Sequence, residues 1–219
     1  MPKQRSTIGF NVYDTIKRDI IFGRLQPAMK LKLMEVKEQY QVSIATLRET
    51  LNRLASEGFV VAQEQKGFSV APVSKEDLVE ISNLRILLES HALRESIEKG
   101  DADWEANLVA SHHKLKLAEE KMLSGEIEVK ETWKRCDWEF HFALIQACSS
   151  KNLLNLHSII YDKYLRYQMQ ILTFRGKPAA KEHKKLMEFA LKRDSDSATK
   201  VLEAHIRGGL RHTMSEMVE

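Results

Sequence analysis

Residues 42 to 58 read V-S-I-A-T-L-R-E-T-L-N-R-L-A-S-E-G, followed by F-V-V-A at 59 to 62 and F-S-V-A at 68 to 71. Leu47, Leu51 and Leu54 fall on one face of a helix, Ser43 can cap its first turn, and Gly58 stops it. The two β-prone runs after it, joined by Q-E-Q-K-G, predict a hairpin. Upstream, Val12, Ile16 and Ile20 recur every four residues until Gly23, and a second short helix fits 33 to 40. Three helices and a two-stranded wing make a winged helix-turn-helix, in which the helix after the turn enters the major groove.

That helix, 44 to 57, would turn Ile44, Thr46, Arg48, Asn52 and Arg53 outward, with Ser43 at its entrance. The two guanidiniums can contact phosphate or guanine edges, and the amide a base or the backbone. Lys66 and Gly67 tip the wing, where a lysine suits phosphate or the minor groove and a glycine permits close approach. The charge distribution agrees. Residues 1 to 73 hold 11 Lys+Arg against 7 Asp+Glu, whereas the remainder holds 23 against 24, so a polyanion partner is expected for the N-terminal third alone.

Pro72 separates mixed short elements from long helical periods, which puts the domain boundary at 72 to 74 and predicts domains of 1–73 and 74–219. Beyond it, Gly100, Gly125, Gly176 with Pro178, and D-S-D-S at 194 to 197 divide the chain into six helices, at about 75–99, 102–123, 127–148, 151–175, 179–193 and 195–217. The fourth shows its stripe as Leu153, Leu156, Ile160, Tyr164, Tyr167 and Ile171, read as core. The expected fold is therefore mainly α: a winged helix-turn-helix followed by an all-α antiparallel bundle. Every long apolar run is interrupted by charge, and M-P-K-Q-R-S-T-I-G lacks a secretory apolar region, so the cytoplasm is expected and a membrane is not. Cys136 and Cys148 are twelve residues apart on one helix, about 18 Å along its axis, too far to bridge.

In D-W-E-F-H, Asp137 and His141 sit four apart on a stripe that also holds Trp133, Phe140, Leu144 and Ile145. A carboxylate there needs compensation. His183 shares a face with Leu186, Met187 and Ala190, and His205 with Ala198, Val201 and Leu202, so each is aimed into the bundle. Three imidazoles and one carboxylate from three helices suit Zn²⁺, Ni²⁺, Mn²⁺ or Fe²⁺. The plainer alternative is a hydrogen-bonded Asp–His pair beside core histidines. His91, His112, His113, His157 and His212 show no matching arrangement and read as surface or local contacts. Arg85 and Glu89, also four apart, read equally as an intrahelical ion pair or as an arginine free to clamp a carboxylate ligand, and Arg166 and Arg207 are weaker candidates for that clamp.

V-Y-D-T-I-K-R-D-I-I-F-G-R-L-Q-P near the start, the recognition helix, K-G-F-S-V-A-P-V-S, L-R-I-L-L-E, D-W-E-F-H-F-A-L, E-H-K-K-L-M-E-F-A-L-K-R-D and E-A-H-I together resemble the GntR family of bacterial regulators, in its FadR-type branch with an FCD effector domain. The resemblance implies a homodimer on a two-fold-symmetric DNA operator, released or tightened by a small organic acid bound in the helical bundle. It maps the family's metal ligands onto Asp137, His141, His183 and His205, with zinc as the first expectation, and Arg85 onto the arginine that faces the ligand. One departure matters. Ile44, Ala45 and Thr46 stand where Arg, Thr and Pro are typical, so the family's common operator is not implied.

The function expected is a ligand-responsive repressor. A metalloenzyme and a pure metal sensor are the rivals, since histidines and one carboxylate with open positions also serve hydrolytic and oxygenase metals. No obvious nucleophile or glycine-rich loop supports an enzyme.

Overall fold

The computed structural model describes residues 8–63, 66–171 and 174–217, about three-quarters of the chain being helical (78%). The chain divides into two compact units: one comprises residues up to Leu78 together with the segment from Asp162 to the end of its long helix, and the other comprises Val79–Tyr161 and the segment after residue 173.

In the first unit, α1 (Ile8–Ile21), α2 (Leu33–Tyr40) and α3 (Ile44–Ser56) bury Ile16, Ile20, Leu47, Leu51 and Leu54 completely. Ser43 caps α3 as expected, its Oγ accepting the Thr46 amide hydrogen at 3.1 Å. The wing is β2 (Val60–Gln63) and β3 (Gly67–Val70), antiparallel, with Val60 opposite Val70 and Gln63 opposite Gly67. Gly67 has φ 82, a left-handed conformation that costs glycine nothing. The sheet holds a third strand that the hairpin reading missed: β1 (Lys30–Leu31) pairs with the other edge of β3, giving the order β1-β3-β2. Two residues cannot show an alternation, so nothing in the pattern announced it. Loop residues 64 and 65 lie outside the described residues.

In the second unit, α4 (Lys75–Lys99), α5 (Ala102–Leu123), α6 (Lys130–Ile145), α7 (Lys151–Ile171), α8 (Lys177–Leu191) and α9 (Ser195–Glu216) correspond to the six expected helices, α4 from Val79 onward and α7 as far as Tyr161. Short 3₁₀ turns flank α6 at Ile127–Val129 and Gln146–Cys148, where one continuous helix was expected. Asp101 caps α5 by accepting from the Trp104 amide at 2.9 Å, and Asp194 caps α9 through Ser197 at 3.0 Å. α5 packs along α6 and α8, and α8 along α9. The core between them is Trp104, Leu108, Leu115, Phe140, Leu144, Leu186, Ala190 and Leu202, and the Trp104 indole N–H donates to the Ala143 carbonyl at 2.8 Å.

The stripe expected on α7 needs correcting. Leu156 is 56% exposed, while His157 and Tyr161 are buried in its place. The Ile171 side chain falls outside what is described. α7 turns its aromatic and imidazole groups inward because the buried site beside it is polar. None of the described helices is long and apolar enough to cross a membrane.

Candidate metal centre and recognition helix

α6 puts Asp137 and His141 on one face because residues four apart stack one turn above the other. α8 supplies His183 and α9 supplies His205. One ring nitrogen from each of His141, His183 and His205 lies within 4.8 Å of the other two. Three nitrogens each about 2.1 Å from one tetrahedral Zn²⁺ lie about 3.4 Å apart, so the three rings would rotate inward to share a cation. Asp137, the fourth expected ligand, has Oδ1 3.4 Å from His183 Nε2.

Each imidazole is anchored on its far side by a glutamate. His141 Nδ1 donates to Glu89 Oε2 at 3.0 Å, His183 Nδ1 to Glu119 Oε1 at 2.7 Å, and His205 Nδ1 to Glu182 Oε2 at 2.8 Å. A carboxylate can only accept, so Nδ1 carries the hydrogen on each ring and Nε2 keeps its lone pair. This carboxylate–histidine pairing fixes tautomer and orientation in metal sites. Sequence reading named Glu89 only as a partner of Arg85 and missed Glu119 and Glu182. The three lie on α4, α5 and α8; Glu89 is fully buried and Glu119 3% exposed, whereas Glu182 is 25% exposed.

The electrostatics favour neutral imidazoles at His141 and His205 beside an ionised aspartate. Burial would raise the Asp137 carboxyl, but Lys134 and the three histidines hold it far below the usual carboxylate range. Burial pushes His205 down to about 3 and also lowers His141, against the upward pull of their glutamates. Burial likewise opposes ionisation of Glu89, yet Arg85 and the two neighbouring histidines keep it well below its ordinary value. The fit to a cation can be read from one atom. His183 Nε2 is buried with no hydrogen-bond partner among the described residues although it lies 3.4 Å from Asp137 Oδ1, the state expected of a ligand nitrogen and costly otherwise.

The three arginines expected at an effector fare differently. Arg85 is buried in the second unit, its Nε donating to Glu89 Oε1 at 2.6 Å and its guanidinium 4.4 Å from the Tyr161 ring centre, so both halves of its earlier reading remain: it is ion-paired, and it lies beside the cluster. Arg166 belongs to the first unit, where it donates to the Ala71 carbonyl. Arg207 is exposed, two residues past His205 and therefore about 200° around α9. Arg207 therefore faces away from the cluster. His157 is another correction, since it is fully buried with Nε2 3.0 Å from Glu89 Oε1, and His112 is also buried, 5.5 Å from the Phe140 ring.

In the first unit, Arg48 and Asn52 are exposed one turn apart on α3, beside Ala45 and Glu49, while Ile44 and Thr46 are half-buried. Ser43 and Thr46 are occupied in the cap, their hydroxyl oxygens 2.9 Å apart. Arg53 lies over the Tyr13 ring at 3.8 Å with Nε 3.6 Å from Glu57, so its charge is tied into its own unit. Lys66 and Gly67 are exposed at the wing tip.

Comparison with known proteins agrees with both units. The description "Bacterial regulatory proteins, gntR family" matches residues 10–70 and "FCD domain" matches 80–208. The HTH-type transcriptional regulator BphR of Paraburkholderia xenovorans (strain LB400) is 36% identical over 201 residues, 90% of this chain and 82% of BphR. The HTH-type transcriptional repressor GlaR of Escherichia coli (strain K12) is 29% identical over 205 residues, 89% of this chain and 90% of GlaR. Among solved structures, E. coli McbR/YncC has the same fold with a TM-score of 0.80 at 19% identity, covering 95% of this chain and 98% of that one. The metal-free FCD domain of TM0439 matches 67% of this chain and 97% of its own length, with a TM-score of 0.55 at 20% identity.

Proposed function

This chain belongs to the GntR family of bacterial regulatory proteins and carries an FCD domain, and from that premise we propose that it is a repressor whose grip on a DNA operator is set by a small organic carboxylate bound at a transition-metal centre. It is a DNA-binding transcription regulator and not an enzyme. Its first 73 residues serve as the DNA-binding domain and residues 74–219 as the effector domain, with two copies acting as a cytoplasmic homodimer.

The observation that carries the metal reading is the convergence of His141, His183 and His205, each with its Nδ1 committed to a glutamate. With Asp137 they form a set that would hold Zn²⁺ first among the divalent transition metals, leaving positions for a ligand's oxygens. The ion would supply Lewis acidity toward a carboxylate. The chain's own residues do the rest: Asp137 offsets the cation's charge, the glutamates aim the rings, and Arg85 offers a guanidinium beside them. On the DNA side, Arg48 and Asn52 read or grip the major groove while Lys66 and Gly67 approach the backbone or minor groove. The effector changes DNA affinity by the difference in its affinity for the two arrangements of the dimer.

The test is the metal content, by mass spectrometry, of protein purified without chelator or affinity nickel. About one transition metal per chain, lost in the Asp137→Ala, His141→Ala double variant, is the expected result. Metal-free wild-type protein that takes up none on titration would end this reading.

A further inference from the structure

α9 carries two consecutive glycines in its middle, Gly208 and Gly209, where helix propensity argues against them. Gly208 has a local reason. A Cβ built there would lie 2.6 Å from Nη2 and 2.8 Å from Cζ of Arg175, so the guanidinium occupies the space a side chain would fill. Arg175 uses that position to reach two acceptors. Its Nη1 donates to the His205 carbonyl at 3.0 Å and its Nη2 to Glu182 Oε1 at 2.9 Å. Glu182 then accepts from His205 Nδ1 at 2.8 Å through its other oxygen. Next to Arg175, the Phe174 ring meets Trp133 edge-on at 4.8 Å.

His205 differs from the other two histidines of the cluster. Its side chain is 12% exposed against 1% for His141 and His183, and its glutamate is 25% exposed where Glu89 and Glu119 are buried. The carboxylates behind His141 and His183 are confined by packing. Glu182 has no such confinement, and what fixes it is the Arg175 guanidinium seated on the bare backbone of Gly208.

We propose that Arg175, seated on Gly208, is a positioning residue for the metal centre: it fixes Glu182, and through it the ring of His205, so that this arm is the one by which the cation is gained and lost. The inference rests on the metal reading above and specifies which ligand controls it. Gly208→Ala is the informative variant, because alanine suits a helix better than glycine and the atoms it displaces are the flexible end of one side chain. The fold is retained while Arg175 loses its seat.

The experiment uses the full-length chain, stripped of metal, with Zn²⁺ affinity measured against a chromophoric chelator and the Co²⁺ absorption spectrum recorded in parallel. Gly208→Ala should weaken Zn²⁺ binding about 10- to 100-fold, the range for groups that orient a ligand, alter the Co²⁺ spectrum, and leave the melting temperature of the metal-free protein unchanged or higher. In an Arg175→Ala background the same substitution should cost nothing further. If Gly208→Ala is insoluble, Arg175→Ala and Glu182→Ala serve instead, and their losses of affinity should overlap rather than multiply. Wild-type affinity in Gly208→Ala, an undiminished effect without Arg175, or multiplying losses would overturn the proposal while leaving the metal centre standing. Absence of Zn²⁺ and Co²⁺ binding in the wild type would remove both.

Discussion

The hydroxyl of Tyr161 donates to Oδ2 of Asp137 at 2.9 Å. That bond holds one oxygen of the carboxylate and leaves Oδ1 turned toward His183 Nε2, 3.4 Å away. Asp137 is thereby oriented from outside its own helix, as the glutamates orient the histidines. Tyr161→Phe removes one hydroxyl and little volume, so it should lower Zn²⁺ affinity about 10-fold or more with little change in the unfolding midpoint. A chelator-competition titration reads this directly, and unchanged affinity would mean that Asp137 orients itself.

The buried imidazoles give the metal-free protein a defined pH response. His205 is held down to about 3 and His112 to about 4, chiefly by burial, while both titrate near 6.5 in the unfolded chain. Above about pH 6.5 neither state binds these protons and the histidines contribute no slope. As pH falls toward 4.5 the unfolded chain takes up protons that the native state refuses, so stability drops, by about 1 kcal/mol per pH unit for each histidine. The buried carboxylates add to the same slope only below about pH 5, because their unfolded values lie near 4. Urea midpoints of stripped protein should fall steadily from pH 6.5 to 4.5, and saturating Zn²⁺ should hold them up. A flat midpoint would mean that His205 and His112 titrate as if solvated.

Arg48 and Arg53 are both exposed on α3, but Arg53 also lies over the Tyr13 ring and beside Glu57. The two arginines, alike in sequence, should therefore separate in function. Arg48→Ala should cost about 1–3 kcal/mol of operator affinity with thermal stability unchanged. Arg53→Ala should act mainly on stability, through the lost packing on Tyr13. Fluorescence anisotropy with an operator fragment at two salt concentrations, beside melting curves, distinguishes them. Equal loss of DNA binding with equal stability would place Arg53 on DNA as well.

The first unit was legible because its signals are local: a capping serine, a leucine stripe, a stopping glycine and paired β-prone runs all lie within 30 residues of Ser43. The strand at Lys30–Leu31 was not, being defined only by its partner β3. The histidine cluster was legible because each imidazole shares a face with apolar residues. Its supports were not. Glu119 sits in A-E-E-K, where a carboxylate reads as solvated surface, and only the depth of α5 against α8 shows that it faces His183. On α7 the apolar steps pointed to Leu156, while the residues buried there are His157 and Tyr161. Hydrophobic periodicity finds the face that avoids water, and it misreads a helix whose buried face is polar.

Glu89 has three buried partners: Oε1 receives Arg85 Nε at 2.6 Å and lies 3.0 Å from His157 Nε2, while Oε2 receives His141 Nδ1. Both charges are buried, Arg85 at 3% exposure and Glu89 at none. Glu89→Leu should destabilise by about 3–5 kcal/mol because it removes the buried carboxylate that Arg85, His141 and His157 share. Arg85→Leu should cost less, since His141 and His157 remain to donate to the carboxylate. The Arg85→Leu, Glu89→Leu double variant should be more stable than Glu89→Leu alone, a coupling that denaturant unfolding of the four proteins measures. The double variant should nonetheless bind Zn²⁺ more weakly, because His141 has lost the acceptor that aimed it. Additive losses of stability would mean that Arg85 finds compensation elsewhere, and would leave its guanidinium available to a carboxylate ligand.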